Sequence, residues 1–288
     1  METPHYHSKS NFETLAIAQI VESSLLAAVN KYLGHNQVLK PQFMPVYRAK
    51  DCYRLYISSV AFVLSKALNI PPLEIAAAIA SYLHQAQQDI TATVVTPGFI
   101  HIEPTAPLLA NWLQTLPFLP LLLAKSTPKE YFSLMVNNSR LFFIQHAHAR
   151  CCSLLCQAER EGMIALTEIE SQDKLRHLAI AHPQPLPWLG DLQQLRFCHP
   201  AEYALIGELV AVVDSICASS GKLERSWQAA FNLSQAFASF HSCCRIWGEV
   251  KLSEPQLAQA RLGLILATQV VLQFLLHKQL GVFAPQEL

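Results

Sequence analysis

Charge is scarce in this chain, and it is balanced. Only 15% of the 288 residues are charged, and the 21 Lys and Arg residues equal the 21 Asp and Glu residues, whereas roughly a quarter of the residues in a typical soluble protein are charged. The balance also holds locally, since seven residues of each sign lie before residue 106 and the other fourteen of each lie after residue 105. Proteins that bind nucleic acid tightly usually have a basic excess, because phosphate neutralisation dominates their affinity. The composition therefore counts against tight, autonomous RNA binding and leaves only local basic patches open.

Glycine is also scarce, with nine residues in the whole chain. Neither Gly-x-x-x-x-Gly-Lys-Ser/Thr nor Gly-x-Gly-x-x-Gly occurs in the sequence. Loops of these two kinds cradle phosphates with backbone N–H groups at the start of a helix. The sequence thus lacks the two common glycine-rich nucleotide-binding loops, and it predicts no bound cofactor.

No stretch of the sequence is predicted to span a membrane. A spanning helix needs about 20 apolar residues with an intact backbone hydrogen-bond ladder. The uncharged stretch 104–124 is interrupted by four prolines, and the apolar C-terminal stretch contains polar residues. The prolines are Pro104, Pro107, Pro117 and Pro120, and the polar residues are Arg261, Gln269 and Gln273.

Cysteine is used in a way that favours a reducing compartment. The eight cysteines include two adjacent pairs, Cys151-Cys152 and Cys243-Cys244, inside apolar helical patterns. Adjacent cysteines of this kind act as small core residues rather than as a disulfide framework. Because the first ten residues are polar and do not resemble a signal peptide, we expect a cytoplasmic protein.

The first 105 residues predict a small α+β domain. Helical periodicity with proline and glycine at the helix ends alternates there with two short runs of strand composition on either side of Thr96-Pro97-Gly98. The predicted elements are helices over 11–33, 51–68 and 71–84 and antiparallel strands over 90–95 and 99–102.

The rest of the chain predicts a helical bundle. Residues 106–130 are rich in proline and apolar residues and predict a linker, and 131–288 predict an all-α domain. Helices are expected from about residue 131 to Glu161 and again from Pro200, Leu223 and Ser253. The predicted fold class is therefore mainly α, with a small α+β domain first and a helical bundle second.

Several separated motifs identify a family resemblance. The run 142–153, Phe-Phe-Ile-Gln-His-Ala-His-Ala-Arg-Cys-Cys-Ser, resembles the opening helix of the DALR-type anticodon-binding domain of arginyl-tRNA synthetases. Five further stretches resemble phrases of the same family in the same order along the chain. They are 72–79 with 96–102 in the N-terminal additional domain, and 233–245, 260–264 and 280–288 in the anticodon-binding domain.

The resemblance implies where RNA would be contacted. In the family, an arginine, a tyrosine four residues before it and a C-terminal methionine face the anticodon loop. The corresponding positions here are Arg150, His146 and Leu288, and Gln145 lies beside them in the same motif. Spacing of i to i+4 places Arg150 and His146 on one face of a helix, and a guanidinium can contact a phosphate and also stack on a base.

The resemblance also implies that the synthetase's enzyme is missing. Only residues 106–130 occupy the place of its catalytic domain, and neither a His-x-Gly-His nor a Lys-Met-Ser-Lys-Ser element occurs. We therefore expect a non-catalytic protein that binds a tRNA, most simply an arginine tRNA. The alternative is a protein-interaction or regulatory subunit that reuses the fold without RNA, with Trp112 and Phe118 anchoring a partner over 104–124 or simply covering the two domains.

A metal site is the weakest of the candidate sites. His148, Cys152 and Cys156 share one predicted helical face, and His241 with its neighbouring cysteines can meet them, which are ligands that zinc accepts. The sequence contains no tight Cys-x-x-Cys pair, and we predict no metal.

Overall fold

The fold is known from a computed structural model. It describes residues 15–34, 44–49, 54–86, 89–123, 138–170, 176–218 and 223–288. These residues belong to two compact units, one that ends at Pro104 and one that comprises Thr105–Leu288. Each unit is described by itself below.

The N-terminal unit is a four-stranded antiparallel sheet with three helices. The strands β1 (Val46–Arg48), β2 (Tyr56–Ser58), β3 (Ile90–Val95) and β4 (Phe99–Pro104) lie in the order β1-β2-β4-β3. The helices are α1 (Ile17–Leu33), α2 (Val60–Leu68) and α3 (Pro72–Ala86). The predicted helix after Pro71 and the predicted hairpin are both confirmed, with β4 two residues longer than expected.

The predicted helix over 51–68 is wrong for Tyr56–Ser58, and its residues 51–53 lie outside the described part. Tyr56 pairs with Ile102 and Ser58 with Ile100 on β4, so this segment is a strand before it is a helix. The backbone N–H of Val60 donates to the Ser58 hydroxyl at 3.2 Å, which starts α2 immediately after the strand. Aromatic and β-branched residues favour strands once a neighbour is available, and that neighbour lies about 45 residues away along the chain. The predicted first helix begins at Ile17, and its first residues, 11–14, lie outside the described part.

The C-terminal unit is built around one helix, α10 (Pro255–Phe274), which continues as a wider turn over Leu275–Gln279. Seventeen of its 20 residues are buried, as expected of a helix that packs on all sides. Around it pack α6 (Asn138–Arg160), α7 (Pro200–Cys217), α8 (Leu223–Cys243) and the short α9 (Glu249–Ser253). Among the described helices, Pro255–Gln279 is long and apolar enough to cross a membrane, but the 18-residue window on which this rests, with a mean hydropathy of 1.5, is 94% buried in the protein. It is a core helix.

The stretch predicted to be a linker is folded where the structure describes it. Residues 106–122 form α4 (Ala106–Thr115), a 3-10 turn and α5 (Leu119–Leu122), and all three pack against α10. The Gln114 side-chain oxygen accepts hydrogen bonds from the Leu186 N–H at 3.1 Å and the Trp188 indole N–H at 2.8 Å. The Trp188 ring in turn lies so close to Gly263 of α10 that a Cβ there would be 2.4 Å from it. The segment therefore belongs to the C-terminal unit.

The C-terminal unit also contains a β-hairpin, so it is not all-α as predicted. Strands β5 (Ala165–Glu170) and β6 (Arg176–His182) pair antiparallel, and β6 packs on α10. The mainly helical fold class is nevertheless confirmed, as are the helices that begin at Pro200 and Leu223. The residues of the predicted helix before Asn138 lie outside the described part.

A buried ion pair joins α10 to the start of α7. The Arg261 Nε donates to Glu202 Oε1 at 2.6 Å, and the two side chains are only 7% and 0% exposed. The other Glu202 oxygen accepts from the backbone N–H groups of Cys198 at 2.9 Å and His199 at 2.7 Å, which completes a capping box. Arg261 also donates to the Arg245 carbonyl.

Removal of Arg261 is therefore expected to be costly. Arg261→Met leaves the Glu202 carboxylate buried without its cation, which typically costs about 3–5 kcal/mol. The control is Lys251→Met, because Lys251 pairs with Glu161 at 2.8 Å where both side chains are 33% exposed, and such pairs contribute about 0–1 kcal/mol. Denaturant unfolding of both variants measures the difference, and equal losses would contradict a structural role for the buried pair.

Candidate nucleic-acid interface

The middle of α6 has one exposed polar face and one buried face. His146, Arg150 and Ser153 are exposed, and they recur at the spacing of one helical face. The opposite face is buried against the rest of the unit by small and apolar residues. These are Ile144, Ala147, Cys151, Leu154, Leu155 and Ala158.

A groove of about 650 Å³ runs along this polar face. One wall is α6, which contributes His146, Arg150 and Arg160, among others. The hairpin forms the second wall through Leu166, Thr167, Glu168 and Leu178, and the last three residues of the chain close it. Those three are Gln286, Glu287 and Leu288.

The structure thus brings together three of the four residues that the sequence predicted at an RNA contact. Arg150, His146 and Leu288 all line the groove, and Leu288 is 67% exposed. The fourth, Gln145, is directed elsewhere, because its amide nitrogen donates to the Phe283 carbonyl at 2.8 Å. Gln145 therefore fixes the C-terminal tail that forms part of the groove.

His148 fixes the same tail from inside the protein. Its Nδ1 lies 2.7 Å from the Pro285 carbonyl oxygen and its Nε2 lies 2.9 Å from the Gln269 amide nitrogen of α10. A carbonyl only accepts and an amide nitrogen only donates, so Nδ1 carries the proton and the ring is neutral. Burial lowers the pKa of His148 to about 4, although the bond to Pro285 opposes the shift, and nearby His277 lowers it further.

The groove contains charges of both signs. Its cations are Arg150 and Arg160, and its carboxylates are Glu159, Glu168 and Glu287. Glu159 is used locally, because it accepts the Leu166 N–H at 2.8 Å and so joins α6 to β5. Within the described part of the chain, no carboxylate forms a salt bridge with Arg150. Burial lowers the pKa of the neighbouring His241, and the positive charge of Arg150 lowers it further.

The other sequence candidates lie away from solvent or lack ligand partners. Trp112 is 4% exposed, and Phe118 is half-buried in the C-terminal unit. Burial of Trp112 favours its role as cover for the core over its role as a partner anchor, and partner binding by the two residues stays a prediction. Among the described residues, no group of three or more His, Cys, Asp or Glu side chains could hold a metal.

The sequence analysis missed the hairpin wall of the groove. Leu166, Glu168 and Leu178 line it from β5 and β6, yet 162–182 was not assigned any strand. The signal was weak, since Leu178–Ala181 is a short apolar run that fits a buried strand but does not distinguish it from a helical segment. A hairpin between two long helices is easily overlooked because each strand is only six or seven residues long.

The C-terminal unit is thus a helical domain around the buried α10, with a polar groove on α6 that Gln286, Glu287 and Leu288 also line. The family model for the DALR anticodon binding domain matches residues 144–288, and the arginyl tRNA synthetase N terminal domain matches 19–103. The chain belongs to the DALR anticodon-binding family and is related to the arginyl-tRNA synthetases. Residues 104–143 are all that separates the two matches.

Curated relatives show the same relationship. The arginine–tRNA ligases of Moorella thermoacetica and of a Synechococcus strain are each 31% identical over 150 residues, and that of Heliobacterium modesticaldum is 30% identical over 150 residues. The matches to the first two cover 51% of this chain but only 22% of the relative's length. No solved structure matches this chain.

The buried neutral His148 predicts a dependence of stability on pH. Its folded pKa of about 4 lies below the ordinary value of 6.5, so the unfolded chain binds more protons between these values. Stability is therefore fully present above about pH 6.5 and falls as the pH drops towards 4, by up to about 3 kcal/mol from this one group. The comparison is with His148→Asn, whose amide can still donate to Pro285 but does not titrate.

Urea unfolding of both proteins from pH 7 to pH 4 gives the test. As the pH falls through this window, the free energy of unfolding of the wild type should decrease more than that of His148→Asn. Parallel curves would contradict the assignment of a neutral, buried His148.

Proposed function

We propose that this chain binds a tRNA, most simply an arginine tRNA, without aminoacylating it, and that it does so in the cytoplasm. The observation that carries the proposal is the groove in which exposed Arg150, without a salt-bridge partner among the described residues, lies with His146 and Leu288. A guanidinium in this position can pair with a phosphate and stack on an unpaired base. The membership in an anticodon-binding family supports the anticodon stem-loop as the part of the tRNA that enters the groove.

The organisation of the chain supports the proposed absence of aminoacylation. The two family matches are separated by residues 104–143 alone, and 106–122 of these form helices on α10. The sequence contains no phosphate-cradling glycine loop and no synthetase signature for ATP. The chain therefore binds its tRNA without an ATP-dependent step.

An aminoacylation assay tests the second part of this proposal. Purified chain mixed with ATP, arginine and arginine tRNA is expected to form no arginyl-tRNA, and an intact arginine–tRNA ligase serves as the positive control. Charging that persists after a second purification, and that is lost with a point variant of this chain, would contradict the proposal.

Replacement of Arg150 tests the groove. Arg150→Ala is expected to weaken binding of arginine tRNA by roughly 1–3 kcal/mol, the scale of a good arginine contact, while the melting temperature stays the same because the side chain is exposed. Arg225→Ala is the matched control, since Arg225 is an exposed arginine of α8 that does not line the groove. Fluorescence anisotropy at a fixed salt concentration measures the affinities.

The comparison of RNAs completes this test. Arginine tRNA, a tRNA with another anticodon, and that second tRNA carrying the arginine anticodon are titrated in parallel. Equally weak binding of all three RNAs to the wild type would contradict the proposal. An Arg150→Ala variant that loses stability but binds RNA as well as the wild type would also contradict it.

A second function is favoured by the charge of the groove. Three carboxylates face two guanidiniums there, a balance that suits a mixed protein surface as well as RNA. In this alternative the chain is a subunit that binds a protein through the same fold. The test is purification of the chain from its native host. A stoichiometric protein partner that stays bound after nuclease treatment, with no tRNA recovered in the untreated sample, distinguishes this alternative from the first.

A further inference from the structure

Two large aromatic side chains lie exposed next to the groove. Phe142 is 57% exposed and Phe283 is 69% exposed, although rings of this size are normally buried for their large apolar area. Phe142 lies one turn of α6 before His146, which lines the groove, and Phe283 lies three residues before Gln286, which also lines it. We call Phe142, His146 and Phe283 together the aromatic ledge.

The rings of the ledge are held in place by their neighbours. The Phe142 and His146 ring centroids are 6.1 Å apart with an interplanar angle of 29°, so the two rings are nearly parallel. Phe283 meets the His277 ring edge-on at 6.3 Å and 81°, and its carbonyl accepts the Gln145 amide. Fixed rings lose little conformational entropy when a ligand binds, which is the property of a prepared stacking surface.

The charge of the groove requires a contribution of this kind. With two guanidiniums and three carboxylates lining it, phosphate neutralisation supplies little affinity for a nucleic acid. Proteins that bind single strands combine backbone contacts with aromatic rings on which bases stack. Phenylalanine and imidazole rings have flat π faces, on which the bases of a single strand can stack.

We propose that the aromatic ledge stacks unpaired RNA bases that flank the base held in the groove. This rests on the proposed binding of an RNA loop at Arg150 and adds where most of its affinity arises. The ligand class is an RNA with at least two or three unpaired nucleotides, whereas a fully paired RNA offers no base faces to the ledge.

The experiment compares two replacements at each phenylalanine with a control variant elsewhere. Phe142→Leu and Phe283→Leu keep apolar area and remove the ring, the corresponding Tyr variants keep the ring, and Leu252→Ala is a control at a residue of α9 that is 83% exposed. The probes are a labelled anticodon stem-loop of arginine tRNA and a blunt RNA duplex of the same length, titrated by anisotropy at several salt concentrations. Melting temperatures verify that each variant is folded.

Each Leu variant is expected to lower the affinity for the stem-loop by roughly 5- to 100-fold, the range of one base stack, while the Tyr variants and Leu252→Ala stay near wild type. The salt dependence supplies a second readout. Loss of a stack leaves the slope of log K against log salt unchanged, whereas Arg150→Ala makes the slope shallower by about 0.7 for one lost phosphate contact on a single strand.

The outcomes separate this inference from the proposed function. If the wild type and the Leu variants bind the stem-loop equally well, stacking on the aromatic ledge is contradicted, whereas the proposed RNA binding is not. If the wild type binds duplex as tightly as stem-loop, or if the Leu variants change the salt slope as Arg150→Ala does, stacking on the ledge is overturned. A wild type that binds neither RNA overturns the proposed function and the ledge together.

Discussion

The arrangement of the C-terminal unit depends on the need to satisfy the polar side chains of a buried helix. The polar side chains of α10 that lie in the core are stabilised by partners inside the protein, because an unpaired buried group costs more than its hydrogen bond gains. The Gln269 amide nitrogen has such a partner, although its buried side-chain oxygen has none among the described residues. Arg261 is paired with Glu202 on α7, Gln269 with His148 on α6, and Gln273 with His177 on β6 at 2.8 Å. These contacts hold α7, α6 and β6 at defined positions along α10.

The groove follows from these contacts. The partner of Gln269 on α6 is the same histidine that donates to the Pro285 carbonyl, so the core of the unit and its C-terminal tail share one side chain. The partner of Gln273 on β6 holds the hairpin against α10. Hydrogen bonds to the buried α10 thus hold two walls of the groove, α6 and the hairpin. Arg150 and His146 lie on the exposed face of α6 that lines this groove.

The sequence predicted those features that arise from local chemistry. Proline at a helix start marked α3 and α7, and the Thr96-Pro97-Gly98 turn marked the hairpin of β3 and β4. The prediction failed where pairing between distant parts of the chain determines the secondary structure. Tyr56–Ser58 has a helical pattern by itself, but in the fold it pairs with β4 as a strand. At the site, the motif gave Arg150, His146 and Leu288, but no local pattern separates Phe142 from Phe143, of which only Phe143 has a ring partner on α8, Phe231 at 5.6 Å.

The same helix explains why the stretch between the two family matches is folded where it is described. An apolar helix such as α10 needs cover on every side, and α4 with α5 supplies cover through buried side chains that include Leu109, Leu113 and Leu116. The burial of Trp112 follows from this requirement. Residues 106–122 therefore cover α10, whereas the polar groove lies elsewhere in the unit, between α6, the hairpin and Gln286–Leu288.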